Sequence, residues 1–288
     1  MKLLISVLFV AFAVAVQTEH IDIDWSQVKP ISELPEYKDA LDNIVPVGES
    51  IESRRRPIIA GKSASVSQFP YQAGLIMKVS ESNYLCGGSL ISSTRVLTAA
   101  HCAKDVSSAI IILGAMNLYE YEPFQVRISV PASAIVSHPQ YNSKTFQNDI
   151  AIIKLPSAVV FNYKISSIEL ADSLNDFYGI TAIVSGWGNF DYTRHSSSYL
   201  RFANMNVIEN PRCRNDVVAI YETTICAMGE GNISTCHGDS GGPLAVKLNG
   251  KKILIGVTSF GIDKRCGSGL PVGFSRVTSF MPWIKSNM

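Results

Sequence analysis

From Ile58 onward the chain is a succession of short runs rich in Val, Ile, Thr and Tyr, each ended by Gly, Pro, Asn or Ser. The runs are YQAGLIMKV, GGSLISSTRVLTAA, AIIILGAM, FQVRISV, IAIIKL, ITAIVSGWG and KILIGVTSFG. Many short strands joined by turns bury their apolar faces by curling into barrels or stacking as a sandwich. Helical spacing is read only at the end, in VTSFMPWIKSNM, where Phe280, Trp283 and Ile284 share one side. The expected class is all-β with a C-terminal helix.

The chain before that point reads differently. MKLLISVLFVAFAVAVQTEH sets one lysine before an apolar run from Leu3 to Val16, with the small-residue pattern Ala13-Val14-Ala15. That pattern fits a signal peptide over 1–16, with a buried N-terminal helix as the alternative, and the run is short for a membrane span. Residues 17–57 hold no cysteine, are acidic apart from the closing arginines, and carry Pro30, Pro35, Pro46 and Pro57. Such a segment is expected to be loosely structured, ahead of one folded domain over 58–288.

A formal net charge of +1 with 47% hydrophobic residues points to neither nucleic acid nor a membrane surface as partner. All six cysteines lie after residue 85. An even number on a secretory route implies three disulfides whose connectivity composition leaves open, and no CxxC pair suggests a metal site.

Three stretches carry chemistry. TCHGDSGGPL packs glycines around Ser240, and glycine backbone can bring N–H groups close to a developing oxyanion. A serine hydroxyl is a weak nucleophile until a base, held by a third group, takes its proton. TAAHC offers His101 and NDIAIIKL offers Asp149. Singly, a histidine beside a cysteine is an ordinary structural residue and an aspartate opening a strand an ordinary turn residue. In the order His, Asp, Ser they form one of the known triad arrangements.

From Ile58 to the C-terminus the chain resembles the trypsin/chymotrypsin family of serine endopeptidases. QFPYQAGL, CGGSLIS, LTAAHC, HPQYNSKTFQNDIAIIKL, SGWG, CHGDSGGPL and PWI carry the resemblance. It implies two six-stranded antiparallel β-barrels with the site between them, His101 and Asp149 from the first and Ser240 from the second. It implies Ser240 as nucleophile, His101 as general base and acid, Asp149 as its orienting partner, and the N–H groups of Gly238 and Ser240 as oxyanion hole. It selects the disulfides Cys86–Cys102, Cys213–Cys226 and Cys236–Cys266. No cofactor is implied. The partners are protein or peptide substrates and protein inhibitors of proteases, and a secreted monomer is expected.

The same resemblance makes 17–57 a pro-segment, with Ile58 as the new N-terminus whose amine pairs with Asp239. Pro57 departs from the family's usual Arg or Lys at the cut. A tryptic cut after Arg55 followed by removal of Arg56-Pro57 would still expose Ile58, as would a direct cut after proline. With no cysteine before Cys86, the cut segment is expected to leave.

The substrate pocket follows by position. Ser234 stands where trypsin-like members carry an Asp, so basic side chains lose their anchor. Ser259, Phe260 and Gly261 would pair with extended substrate backbone, and Val272 would fill depth. The expectation is an apolar, somewhat shallow pocket for Leu, Met, Phe or Tyr, nearer chymotrypsin-like than elastase-like. Phe146 is read equally as the wall of a neighbouring subsite or a core aromatic, and His237 as a solvated loop residue with no specific role, ahead of a residue of the cleft rim. Ala115, where calcium-binding members carry a carboxylate, argues against a structural calcium. Asn232-Ile233-Ser234 is a glycosylation pattern read as chance. The alternative function is a non-catalytic homologue acting as a binding protein, which such a complete set of triad residues disfavours.

Overall fold

The computed structural model describes residues 21–44, 61–172, 175–189, 196–217, 220–231, 233–261, 266–267 and 269–288. The signal-peptide reading, Arg55, Pro57, Ile58 and Asn232 lie outside the described residues. Among those described, no helix is long and apolar enough to cross a membrane.

Three elements come first: β1 (Val28–Pro30), α1 (Pro35–Ile44) and β2 (Lys62–Ser63). The first sheet contains β3 (Gln72–Val79), β4 (Ser82–Ser92), β5 (Arg95–Thr98), β6 (Val106–Leu113), β7 (Val126–Pro131), β8 (Ile135–Ser137) and β9 (Ala151–Lys154), with α2 (Ala100–Ala103) after β5. Its strand order is β7-β6-β3-β4-β5-β9-β8. The two ends of that path, β7 and β8, are neighbours in sequence, separated only by a 3-10 turn at Ala132–Ala134. They act as one strand broken at a corner, so the chain itself closes the sheet and six strands' worth of barrel results.

The second sheet contains β10 (Glu169–Leu170), β11 (Thr181–Gly186), β12 (Arg201–Ile208), β13 (Thr224–Met228), β14 (Pro243–Leu248), β15 (Lys251–Gly261) and β16 (Val272–Arg276), with α3 (Asn210–Arg214) before β13. Six of these form the ring β15-β14-β11-β12-β13-β16, and β16 pairs back onto β15. The ladders within both barrels are antiparallel, as short connections between successive strands favour. Leu75, Leu90, Leu97, Ile111 and Ile152 fill the first barrel, and Val184, Met205, Ile225, Leu244 and Phe274 the second. Each such side chain, once fully buried, contributes about 1.5–3 kcal/mol.

The closing helix α4 (Val277–Ser286) leaves the second barrel and returns to the first. Phe280 and Trp283 lie against His138 with ring centroids 5.5 and 5.2 Å apart, and the Arg95 guanidinium donates to the Asn287 carbonyl at 2.8 Å. The predicted apolar side is thus the contact that straps one barrel to the other.

One expectation is corrected here. Residues 21–44 are folded, not loose, and helix is not confined to the C-terminus. β1 pairs in parallel with β4, Val28 opposite Asn83 and Pro30 opposite Leu85. Ile31 is fully buried in the first-barrel core. Pro35 then opens α1 at the position where a missing N–H costs nothing. Leu34, Tyr37, Ala40 and Leu41 fall on one face at helical spacing and pack with Phe146 and Phe260. The segment's polar composition concealed this because its partners lie far away in sequence.

Candidate active site

His101 sits on the short helix α2, which Cys102 ties to β4 through the Cys86–Cys102 disulfide. Asp149 lies just before β9 and is fully buried. A buried carboxylate needs donors, and it has several. The His101 backbone N–H donates to Oδ1 at 2.8 Å, and His101 Nδ1 lies 2.7 Å from Oδ2. The Ser259 hydroxyl also donates to Oδ2, while the Ser275 hydroxyl donates to the Asp149 carbonyl at 2.6 Å. The imidazole is therefore fixed in orientation, with Nδ1 turned to the carboxylate.

Ser240 stands in the turn before β14. Gly238 takes φ +101°, a backbone conformation that a side chain would strain. The Cys236–Cys266 disulfide fastens this turn to the loop before β16. The Ser240 carbonyl accepts from Gly87 N–H of β4 at 2.7 Å, and Gly241 N–H donates to the Thr258 carbonyl at 2.8 Å. One loop is thus gripped by both barrels. A Cβ at Gly87 would stand 2.9 Å from Gly242 Cα, so the two backbones touch directly. The sulfur of Cys102 is 3.6 Å from both His101 Nε2 and the Ser240 carbonyl, which sets the histidine beside the serine turn.

Ser234, Ser259, Phe260, Gly261 and Val272 line one cavity next to Ser240. Val272 is 1% exposed and lies opposite Gly261 across β15 and β16, so its side chain closes a wall. A Cβ at Gly261 would meet nothing within 4 Å, which leaves the entrance on that side open. Phe146 is buried, and its ring lies 5.9 Å from His101 and 5.7 Å from Phe260.

Behind the serine turn, Asp239 accepts from Gly188 and Cys236 N–H groups, each at 2.9 Å. Burial outweighs those bonds and pushes its carboxyl up to about 6. The site is cut to fit this group, because a Cβ at Gly186 or Gly188 would come within 2.2 or 2.6 Å of the carboxylate. The adjoining cavity is lined by Gly61, Ser185, Asn189 and Asp239. Gly61 lies three residues after Ile58.

Ser32, Tyr37 and Leu41 also line the cavity beside Ser240. The Tyr37 hydroxyl donates to the Ser259 carbonyl at 3.1 Å, and Tyr37 shares the cavity lining with Ser240. Its ring centroid is 4.8 Å from that of His101 and 5.2 Å from that of Phe146. Burial raises the phenol far above its ordinary value, so it stays neutral. Sequence reasoning missed these residues. The usable signal was the spacing of Leu34, Tyr37, Ala40 and Leu41 behind Pro35.

Two histidine–cysteine clusters occur among the described residues: Cys86, His101 and Cys102, and Cys236, His237 and Cys266. Their sulfurs are consumed in disulfides and offer no thiolate to a metal. Cys213 and Cys226 form the third bridge.

The family described as Trypsin matches residues 58–284. The chain is 42% identical over 242 residues to the collagenase of Hypoderma lineatum, covering 82% of this chain and 89% of that one. It is 36% identical to the brachyurin of Leptuca pugilator, over 80% of this chain and 97% of the other. It is 33% identical to the chymotrypsin of Phaedon cochleariae, over 88% and 90%. A solved structure of HL collagenase superimposes with a TM-score of 0.72, covering 80% of this chain and 98% of that one. Fold, family match and relatives agree: the chain belongs to the trypsin family and is a serine endopeptidase.

Proposed function

We propose that Ser240, His101 and Asp149 form the catalytic triad of a secreted endopeptidase that cuts after apolar residues, with Leu, Met, Phe and Tyr preferred. The observation that carries the triad is the doubly bonded His101–Asp149 pair beside a serine turn gripped by both barrels. Ser240 Oγ attacks the scissile carbonyl carbon while its proton passes to His101 Nε2. The carbonyl oxygen becomes an oxyanion, met by the N–H groups of Gly238 and Ser240. Collapse expels the amine, which takes the proton from His101 and leaves an acyl-Ser240. Water, deprotonated by His101, then releases the acid and restores the serine. Asp149 holds the tautomer and offsets the positive imidazolium at each stage.

The relatives bear names as different as collagenase, brachyurin and chymotrypsin, so this chain's own pocket carries the preference. Ser234 gives no charge for a basic side chain, and buried Val272 limits depth. Activation is proposed to end at Ile58, whose amine would pair with Asp239 in the glycine-shaped space behind the serine turn. The lack of a carboxylate at Ala115 supports a fold with no structural calcium, and the enzyme is proposed to act as a monomer open to protein inhibitors.

N-terminal sequencing of the secreted, processed protein, and fluorophosphonate labelling of its chain from Ile58 once freed of the preceding segment, test the core of this reading. A start at Ile58 with label on Ser240 is expected. A start at Pro57 or earlier, with no label, would sink it. On a peptide library, Val272→Gly should shift preference towards Phe and Tyr by about tenfold, since one pocket wall of this size is worth about 1–3 kcal/mol. An unchanged library profile would remove Val272 from the pocket.

A further inference from the structure

The cleft is already occupied by another part of the chain, and among the described residues the contacts that hold it there come from 21–44, ahead of the arginine run. Arg127 donates to the Ile21 carbonyl at 2.8 Å, and Trp25 lies against Tyr119 with centroids 4.9 Å apart. β1 then pairs with Asn83–Leu85 of β4, a stretch that β5 leaves uncovered because it pairs only with Ser89–Ser92. Ile31 enters the first-barrel core. α1 finally crosses the cleft to Phe260 of the second barrel. Beneath it, Ser240 keeps 6% and His101 4% of their exposure, too little for a peptide to reach them.

The manner of occupation matters as much as its extent. A substrate in extended form would need the Ser259 carbonyl as a backbone acceptor. Here that oxygen accepts from the Tyr37 phenol. Helical backbone satisfies its own N–H groups and cannot add as a strand to β15. The segment therefore brings a side chain, not a scissile carbonyl, to Ser240: it blocks without being positioned for cleavage. The three disulfides all lie between Cys86 and Cys266, so none holds the segment. Nor does a cut anywhere in 53–57 remove one of its contacts.

We propose that residues 21–44 are a dedicated inhibitor of this enzyme's own cleft, which stays docked after the chain is cut and also inhibits when supplied as a separate peptide. The docking surface runs from the Asn83–Leu85 edge of β4 across His101 and Ser240 to Phe260, and Tyr37 and Ile31 are its two anchors. The inhibitory half of this proposal rests on the endopeptidase reading above; the docking half does not.

The test uses the full chain with Ser53–Pro57 replaced by an enteropeptidase recognition run, so that cutting exposes Ile58. The cut chain is passed through size exclusion, stripped of its segment under mild denaturant, and refolded around the intact disulfides. Synthetic peptide 21–44 is then added back. The segment is expected to co-elute before stripping, and the added peptide to raise KM for a small peptide anilide while leaving kcat unchanged. Peptides carrying Tyr37→Ala or Ile31→Asp should inhibit at least about tenfold more weakly, as anchor truncations do. A segment that elutes separately, a peptide without effect up to about 100 μM, or a Tyr37→Ala peptide of equal strength would each overturn the proposal. Fluorophosphonate labelling of the stripped chain separates the two readings. Label with no peptide inhibition overturns the inference alone. If no label is taken, the endopeptidase reading has failed, and anisotropy of a dye-labelled peptide 21–44 still decides docking.

Discussion

Residues 21–44 and the two barrels are both held by buried apolar side chains, yet they are stable in different senses. Leu75 and Ile31 each lose all exposure, and both belong to the first-barrel core. Leu75 is enclosed by strands paired on both sides, β3 lying between β4 and β6. Ile31 arrives from a segment with three residues of strand, one α-helix, two single 3-10 turns and no disulfide. The barrels make most of their contacts among themselves; the segment makes its own on the surface it covers. A piece of chain whose order is borrowed in this way behaves as a ligand that happens to be tethered.

The largest effect that bears on this difference separates chemistry from occlusion. Asp149→Asn should lower kcat of the cut enzyme by about 10⁴-fold, as the family's triad template describes. Docking of residues 21–44 should change by less than about threefold, because Tyr37 bonds to the Ser259 carbonyl, not to Asp149. Parallel loss of both in kinetic and anisotropy measurements would merge what the comparison keeps apart.

Next in size is a matched pair of truncations in the uncut chain. Leu75→Ala should cost about 2–5 kcal/mol of global stability by urea melting and speed amide exchange throughout the first barrel. Ile31→Ala, at an equally buried site, should speed exchange within 21–44 and at its Asn83–Leu85 edge while leaving the main transition in place. Global destabilisation by Ile31→Ala would make the segment part of the domain.

A smaller effect concerns the other side of the serine turn. Asp239 titrates at about 6 in the uncut chain against an ordinary 3.8. Between those values the folded chain holds a proton that the unfolded chain has lost, so stability falls as pH rises through the window. The difference between the uncut parent and Asp239→Asn should therefore change by about 2 kcal/mol from pH 4 to pH 7. Cutting at Ile58 supplies an amine partner and should abolish that slope. A slope that survives the cut, measured by urea melts across this range, would remove the Ile58–Asp239 pairing.

Much of the barrel domain was legible because its signals are local. YQAGLIMKV and KILIGVTSFG state their strands outright, and β3 and β15 cover them. β13 and β16 were harder to see, since TICAM and VGFSR are short and mix small residues with apolar ones. His101, Asp149 and Ser240 stood in stretches distinctive enough to name from residue type and order. Tyr37 did not, because nothing near it in sequence says that its partners are Ser259, His101 and Phe146, each more than sixty positions away. Proline content pointed to looseness, while Pro35 in fact opens a helix.

The bond from Gly87 to the Ser240 carbonyl, with the glycine-to-glycine approach at Gly242, has a bearing on how such proteins recombine. At the Gly87–Gly242 contact the seam has no side chain to repack, and the Thr98 and Thr258 hydroxyls fasten the two glycine carbonyls, so its fit is a matter of backbone spacing. A hybrid joining the first barrel of one protease to the second of another inherits half of this seam from each parent. Surface loops in such a chimera can differ freely, but a single methyl group on either side of the seam moves the nucleophile. Barrel exchange is thereby confined to parents that share this bare stretch, whatever their substrates.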